Sequence, residues 1–470
     1  MPEKKDKKTA NQKIEEKLFL KRKSSWLGYT PAQEKAVFDF CDGYKKFMAE
    51  CKTERLCVRF IEDSLKKAGF VDIGRAVKIR KNDRVYKKIK NKVIIACIAG
   101  SDPASFRLVG SHVDSPRLDL KPSPLYESSE LALMQSHYYG GIKKYHWVNV
   151  PLSVHGVVFT KSGRQVDVHI GEKDADPKFI IPDLLPHLAQ EQMKKEAPKV
   201  IEGEDLNIVA GHIPVKDDDI KEKVKFSLLK YLNDAYGIIE EDFNCAELEF
   251  VPAVKPADIG FDRGLVGAYG QDDRVCVYTS LRALLAVKNP AHASLALFVD
   301  KEETGSYGDT GAESFMLYNF AGEFAAKSGL QVDPAAMLEK SKSVSADVTG
   351  AMDPTFQSVN DPQNVSYLGR GVSIEKYGGA RGKSGTHDAH AEYMQYLRAM
   401  ADRNGIPWQT GENGKIDLGG GGTIAMLLSR YGMDCVDAGP CLLGMHSTCE
   451  VASKADIYSA YLLYRAFFED

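Results

Sequence analysis

The sequence predicts an α/β fold: a central, largely parallel β-sheet flanked by helices, plus an inserted β-rich domain. Three observations carry that expectation. Short apolar, β-branched runs alternate with helical stretches of roughly 10–15 residues, both before residue 122 and after residue 255. Several of these runs end directly in His, Asp or Glu, at the carboxyl ends of strands, where such sheets place their ligand sites. Residues 123–254 have a different texture, opening with a Tyr/Gly-rich piece at 136–145 and holding a charged, loop-rich middle. The expected division is therefore 1–122 with 255–470 as one discontinuous unit, and 123–254 as the insertion.

In chain order, residues 30–69 read as helical. Pro31 suits a first turn, Val37, Phe40, Tyr44, Phe47 and Met48 recur at helical spacing, and Gly69 is a stop. Short β-rich runs follow at 77–79, 92–98 and 106–110, the last leading straight into Ser111-His112-Val113-Asp114. Inside the insertion, 154–160 and 165–170 read as strands. Beyond Pro256, 276–286 has the pattern of an amphipathic helix, and 294–299 is an apolar strand ending in Asp300-Lys301-Glu302-Glu303. The run 343–346 ends in Asp347, and 435–438 and 442–445 follow the same rule, the latter delivering His446.

At 470 residues there is room for two or three folding units. With 62 basic against 65 acidic side chains and no basic stripe, electrostatic binding of nucleic acid is excluded. No apolar run approaches the ~18 residues of a membrane span. The basic start lacks the apolar stretch of a secretory signal and reads as a solvated tail running into a first helix. Nine cysteines, scattered without a C-x-x-C pair, suit reduced thiols in a cytoplasmic protein rather than a disulfide framework or a thiolate zinc site.

The strand-end residues carry the chemistry. His112 and Asp114, two apart on a strand, point to the same side, so one can bind a metal while the other orients it. Asp272 and Asp273 open a helix in Gly270-Gln271-Asp272-Asp273-Arg274. Paired carboxylates there serve as caps and dipole complements, or one of them gives an oxygen to each of two cations. Of Glu302 and Glu303, one can ligate a metal while its neighbour acts as general base toward an activated water. Each motif is weak alone. Together His112, Asp272, Glu303, Asp347 and His446 supply three ligands to each of two divalent ions, with one of the carboxylates bridging. Nitrogen and oxygen ligands without thiolate suit zinc, with manganese or cobalt as alternatives. A two-metal site of this kind polarises a carbonyl and activates water for hydrolysis at neutral pH.

In this order the motifs resemble the M18 family of dinuclear zinc aminopeptidases, the aspartyl aminopeptidase and aminopeptidase I group. The likeness runs from about Thr30 to the C-terminus. It includes Gly110-Ser111-His112-Val113-Asp114-Ser115-Pro116-Arg117-Leu118-Asp119 and Ile181-Pro182-Asp183-Leu184-Leu185-Pro186-His187-Leu188; residues 270–274 and 377–391 are similar to the bacterial branch. The resemblance implies one metal on His112, Asp272 and Asp347 and another on Asp272, Glu303 and His446. It implies Asp114 behind His112, Glu302 as general base, and His187 reaching across a subunit contact into a neighbouring active site. It further implies a metallopeptidase domain with an inserted dimerisation and lid domain, assembled from dimers into a tetrahedral dodecamer.

Two positions depart from the family pattern. Members that prefer acidic N-termini carry a histidine three residues beyond the counterpart of Asp347, where this chain has Gly350. They also place a lysine in the specificity pocket, aligned here with Glu375, with Lys376 adjacent. Gly350, Glu375, Lys376 and His187 are therefore the candidate substrate-binding residues, and without cationic partners the reason to favour an acidic side chain is lost.

The function this predicts is removal of the N-terminal residue from peptides. A related dinuclear amidohydrolase or deacylase acting on N-blocked substrates would share the metal set. A non-catalytic scaffold is disfavoured, because Glu302 and every candidate ligand are retained. Among the remaining features, Gly419–Gly422 lacks the Lys-Ser/Thr of a phosphate loop and reads as a tight turn near substrate or metal. His387 and His390 read as a polar helix start, and Cys435, Cys441 and Cys449 as buried small hydrophobes.

Overall fold

In the computed structural model, residues 8–20 and 23–470 are described. The N-terminal tail expected from the sequence lies partly outside these residues, at 1–7 and 21–22. A helix, Ala10–Leu18, follows it with a Thr9–Gln12 capping box and no buried residue.

The region read as helical forms two helices, Pro31–Glu50 and Glu54–Lys67. Each starts on a threonine whose hydroxyl oxygen accepts a backbone N–H three residues on, Thr30 from Gln33 and Thr53 from Leu56. Pro31 occupies the first turn, and Gly69, at φ +81°, follows the second helix where a left-handed residue is needed.

Nine strands make the main sheet. Its centre is four mutually parallel strands in the spatial order His292–Val299, Asp102–His112, Lys342–Ser345, Asp434–Gly439. They are largely buried on both faces, and His292–Val299 accordingly reads as a nearly continuous apolar run. Antiparallel neighbours flank them, Val93–Ile98 on one side and Val372–Glu375 on the other. The expected strand at 77–79 does not form. Val77 is 96% exposed, and only Ile79 turns inward, its N–H donating to the Lys327 carbonyl. The strand lies later, at Arg84–Ile89, where Val85 and Tyr86 find cover against Val93–Ile98.

Helices Pro31–Glu50, Glu54–Lys67, Gln271–Ala286, Ala391–Arg403 and Lys454–Glu469 cover one face, while Met316–Ser328, Pro334–Glu339 and Ala425–Ser429 cover the other. Gln271–Ala286 is not amphipathic as expected but buried almost all round, because it is wedged between the sheet, Pro31–Glu50 and Lys454–Glu469. Two of its buried polar residues are satisfied within the helix: Thr279 and Ser280 donate to the carbonyls of Val275 and Cys276.

A second, six-stranded sheet is wholly antiparallel and contains Arg117–Ser128, Leu131–Tyr139, Leu152–Phe159, Gln165–Ile170, Asn207–Gly211 and Ala246–Pro252. It packs its own core around Trp147, Phe243 and Phe250. A third sheet of five strands takes the run expected at 442–445. The strand is Cys441–Leu443, and it pairs antiparallel with Glu450–Ser453 instead of extending the main sheet. The short connection between these two strands allows only an antiparallel pair. The nine cysteines are all free, and Cys449, expected to be buried, is exposed on that connection. Among the described residues no helix is long and apolar enough to cross a membrane.

Candidate metal centre

His112 ends the strand Asp102–His112, and Asp347 follows the adjacent strand Lys342–Ser345, so two parallel neighbours deliver both at one sheet edge. Asp272 arrives over them from the start of Gln271–Ala286. The turn before it needs Gly270: its φ is +69°, and an added Cβ would lie 1.4 Å from a nitrogen of the Arg274 guanidinium. His112 Nε2 is 3.3 Å from Asp272 Oδ1 and 3.8 Å from Asp347 Oδ1. On the other side, His446 Nε2 is 3.0 Å from Asp272 Oδ2 and 3.3 Å from Glu303 Oε2. Each trio, His112–Asp272–Asp347 and Asp272–Glu303–His446, offers ligand atoms that all lie within 4.8 Å of one another. The two oxygens of Asp272 face the two histidines.

These residues fit a pair of divalent ions. Among the described residues no lysine or arginine pairs with Asp272, Glu303 or Asp347, and Glu303 Oε1 is buried with no hydrogen-bond donor. Three buried carboxylates without a cation would cost several kcal/mol each. Their protonation reflects that demand. Burial pushes Glu303 and Asp347 well above the usual carboxylate range. Burial also acts on Asp272, but its hydrogen bonds to His112 and His446 hold it below that range. His446 is raised to about 10, burial being outweighed by Asp272 and Glu303. The nitrogen and oxygen donors match zinc and its neighbours.

Around the trios stand residues that hold them. Asp114 Oδ1 is 3.3 Å from His112 Nδ1, and its carboxylate accepts the Tyr139 hydroxyl at 2.8 Å and the N–H groups of Glu302 and Glu303 at 3.2 Å. That arrangement fixes the imidazole with Nε2 facing the centre. Asp273 does not join either trio; its Oδ2 accepts the His112 backbone N–H at 3.2 Å. Glu302 reaches in with Oε2 4.0 Å from His112 Nε2, and burial pushes its carboxyl up to about 7. A carboxylate poised near neutrality suits a general base.

Sequence reasoning missed two partners. Glu450 is buried, and its two oxygens accept the backbone N–H groups of His446 (2.8 Å) and Asp272 (3.1 Å), tying a ligand from each element together. The Gly141 carbonyl accepts His446 Nδ1–H at 2.7 Å. Nothing local marks either residue; both act only once distant segments meet.

A cavity of about 490 Å³ opens over the centre, lined by Asp272, Glu302, Glu303, Asp347 and His446 and, farther out, by Thr349, Glu375 and Asn413. Glu375 is buried, accepts the Thr349 hydroxyl, and is pushed up to about 8 by burial. Lys376 is exposed and does not line the cavity, as the alternation of strand side chains requires. Gly350 lies on the short strand Thr349–Gly350, where an added Cβ would sit 2.6 Å from Asn413 Oδ1. Glycines 419–422 line the cavity, and a Cβ on Gly420 would be 1.5 Å from the Gly379 carbonyl oxygen, so two loops cross there too closely for side chains. His187 is exposed on the turn Pro186–Leu188, away from this cavity. His390 caps the helix Ala391–Arg403, accepting the Tyr393 N–H at Nδ1, and pairs with Asp434; His387 does neither.

A family model described as aminopeptidase I zinc metalloprotease (M18) matches residues 47–468. A probable M18 family aminopeptidase 1 from Clostridium acetobutylicum is 46% identical over 463 residues, covering 96% of this chain and 99% of the relative. A solved M18 family aminopeptidase from Thermotoga maritima matches with a TM-score of 0.93 at 43% identity, covering 96% of this chain and 100% of that one. The mApe1 dodecamer of Saccharomyces cerevisiae shares the fold at 20% identity, with a TM-score of 0.74 over 93% of this chain and 97% of that one.

Proposed function

The chain belongs to the M18 family of aminopeptidase I zinc metalloproteases and is a metal-dependent aminopeptidase, and from that premise we propose how its residues divide the work. Two zinc ions would be held, one by His112, Asp272 and Asp347 and one by Asp272, Glu303 and His446. The observation that carries this reading is the shared Asp272, each of whose oxygens faces a different histidine. When bound, the ions supply Lewis-acid polarisation of the scissile carbonyl and a lowered pKa for water. Glu302 takes the proton from the attacking water and returns it to the leaving amine. Asp114 holds the His112 ring, and Glu450 holds the backbone of Asp272 and His446. A free substrate amine would be held by the centre together with its nearby carboxylates, which would make cleavage exopeptidic.

With Glu375 and Gly350 standing where cations would pair with an acidic side chain, N-terminal Leu, Met or a basic residue is preferred over Asp or Glu, while Arg381, Lys383 and Lys415 line other parts of the same cavity. Residues 1–122 and 255–470 form the catalytic unit, and 123–254 form an inserted dimerisation and lid domain. The fold likeness to a dodecamer supports a homo-oligomer built from dimers. The exposed Leu184, Leu185 and Leu188 around His187 suit a contact that carries this histidine toward a neighbouring site. Nine free cysteines support a cytoplasmic location.

The test is a panel of N-terminal amino-acid p-nitroanilides and their N-acetylated counterparts, assayed on stripped protein with zinc, manganese or cobalt added back. Metal-dependent activity on free amines alone is expected. Turnover of the acetylated set at equal rates would favour the N-blocked amidohydrolase instead.

A further inference from the structure

Three consecutive residues at and just beyond the end of a second-sheet strand reach one trio directly, at Glu303 and His446, and the other through Asp114, although that sheet provides none of the candidate ligands. Tyr139 ends the strand Leu131–Tyr139 and donates its hydroxyl to Asp114 Oδ2, the carboxylate behind His112. Gly140 follows at φ +74°, and an added Cβ would stand 3.3 Å from Glu303 Cβ and 3.3 Å from Pro116 Cγ. Gly141 accepts His446 Nδ1–H on its carbonyl. The Tyr139 ring is itself clamped, with the buried Arg117 guanidinium 3.8 Å from its centroid. Arg117 is held by Asp119 at 2.7 Å, Glu249 at 3.3 Å and Glu54 at 3.7 Å, and Glu54 by Lys92 at 2.9 Å. That charged cluster joins strands Arg117–Ser128 and Ala246–Pro252 of the second sheet to the helix Glu54–Lys67 and the main sheet.

We infer that Tyr139, Gly140 and Gly141 are positioning residues through which the second sheet sets the ion affinity of both halves of the centre. The inference rests on the two-ion reading above. Mutation of a carboxylate that orients a ligating imidazole typically costs about 10- to 100-fold in affinity, and a group that supports that carboxylate acts through it. Asp114 has such a support in the Tyr139 hydroxyl. On the other half the backbone does the work: the Gly141 carbonyl selects the His446 tautomer, and Gly140 admits Glu303 because it has no side chain.

The experiment measures zinc affinity in the full chain by competition with a chelator of known affinity, and the visible spectrum of the cobalt-loaded protein. Wild type is compared with Tyr139→Phe, Gly140→Ala and Tyr138→Phe. Tyr138 neighbours the segment, is 40% exposed and contacts neither trio, so it serves as the control. Tyr139→Phe is expected to weaken one of two ions by about 10- to 100-fold and to alter the cobalt spectrum, with the melting temperature of the metal-free protein unchanged. Gly140→Ala is expected to weaken the other ion, and Tyr138→Phe neither. Wild-type affinity for both ions in Tyr139→Phe overturns the inference, whether or not Gly140→Ala folds. Fewer than two ions on wild type would instead strike the two-ion reading itself.

Discussion

The two halves of the candidate metal centre are built in different ways. The half containing His112 and Asp347 is set by the ends of two adjacent parallel strands, with His112 buried at the end of one and Asp347 two residues beyond the other. The half containing Glu303 and His446 is set by loops. Glu303 rides on the single turn Glu302–Thr304, and His446 has φ +63° and a side chain 32% exposed. Strand register alone places the first pair. The second pair depends on contacts from elsewhere, the Glu450 carboxylate and the Gly141 carbonyl. Rigidity is inherited from the sheet on one side and assembled from distant segments on the other.

The largest effect should come from the group that serves both halves without holding either ion. Glu302→Gln is expected to keep both ions yet lose on the order of 10²–10⁴-fold in kcat, as removal of a general base does. Steady-state kinetics on protein of verified metal content decides this, and full activity in a metal-replete variant would remove Glu302 from the mechanism. Next comes the shared ligand. Asp272→Ala should lower occupancy in both halves, whereas Asp273→Ala should cost less because Asp273 accepts only the His112 backbone N–H. Metal analysis finding two ions retained in Asp272→Ala would break the bridging assignment.

A direct trial of the comparison is stepwise dialysis against a chelator. The ion in the exposed His446 half should leave first and return fastest, giving two release phases, and His446→Ala should retain one ion per chain. A single phase with equal release would show that loop placement makes no difference.

The smallest effect concerns the pocket beside the buried half, where the Thr349 hydroxyl donates to Glu375. The kcat/KM for N-terminal Leu, Met or a basic residue should exceed that for Asp or Glu, each 1.4 kcal/mol of discrimination being tenfold. Glu375 is pushed up to about 8, so it is neutral below that pH and gains charge as pH rises through it. The ratio of basic to neutral N-termini should therefore increase from about pH 7 to about pH 9, and Glu375→Gln should flatten it. The same raised pKa favours the folded state at low pH and is lost as pH rises from the ordinary carboxylate range through about 8, so Glu375→Gln should also be the more stable protein in base. A clear preference for Asp or Glu would reverse the pocket reading.

Much of the site was legible because its residues occupy positions with their own signature. His112, Glu303 and Asp347 directly follow apolar runs, and Asp272 opens a helix; parallel strand ends and the helix above them converge, so the structure brings all four together with His446. The supporting residues carried no such mark. Glu450 looks like any strand-start glutamate until its strand folds back on Cys441–Leu443. Tyr139 and Gly141 belonged to a stretch distinguished only by its Tyr/Gly content. The pattern at 276–286 showed a helix but not that helices would cover its second face, and the pattern at 77–79 showed β-branched residues but not that no strand would pair with them.

By itself the sequence determined the fold class, the candidate donors at the strand ends and the side chains present at positions 350 and 375, because composition and short-range periodicity decide which segments are buried and which strand ends bear donors. Tertiary structure alone decided the rest. It turned Glu375 inward and Lys376 outward, sent residues 441–443 to a third sheet, and carried Gly141 to His446 and Glu450 to Asp272 from 305 and 178 residues away in the chain. Such contacts follow from how sheets pack against one another, a long-range outcome that no local spacing encodes.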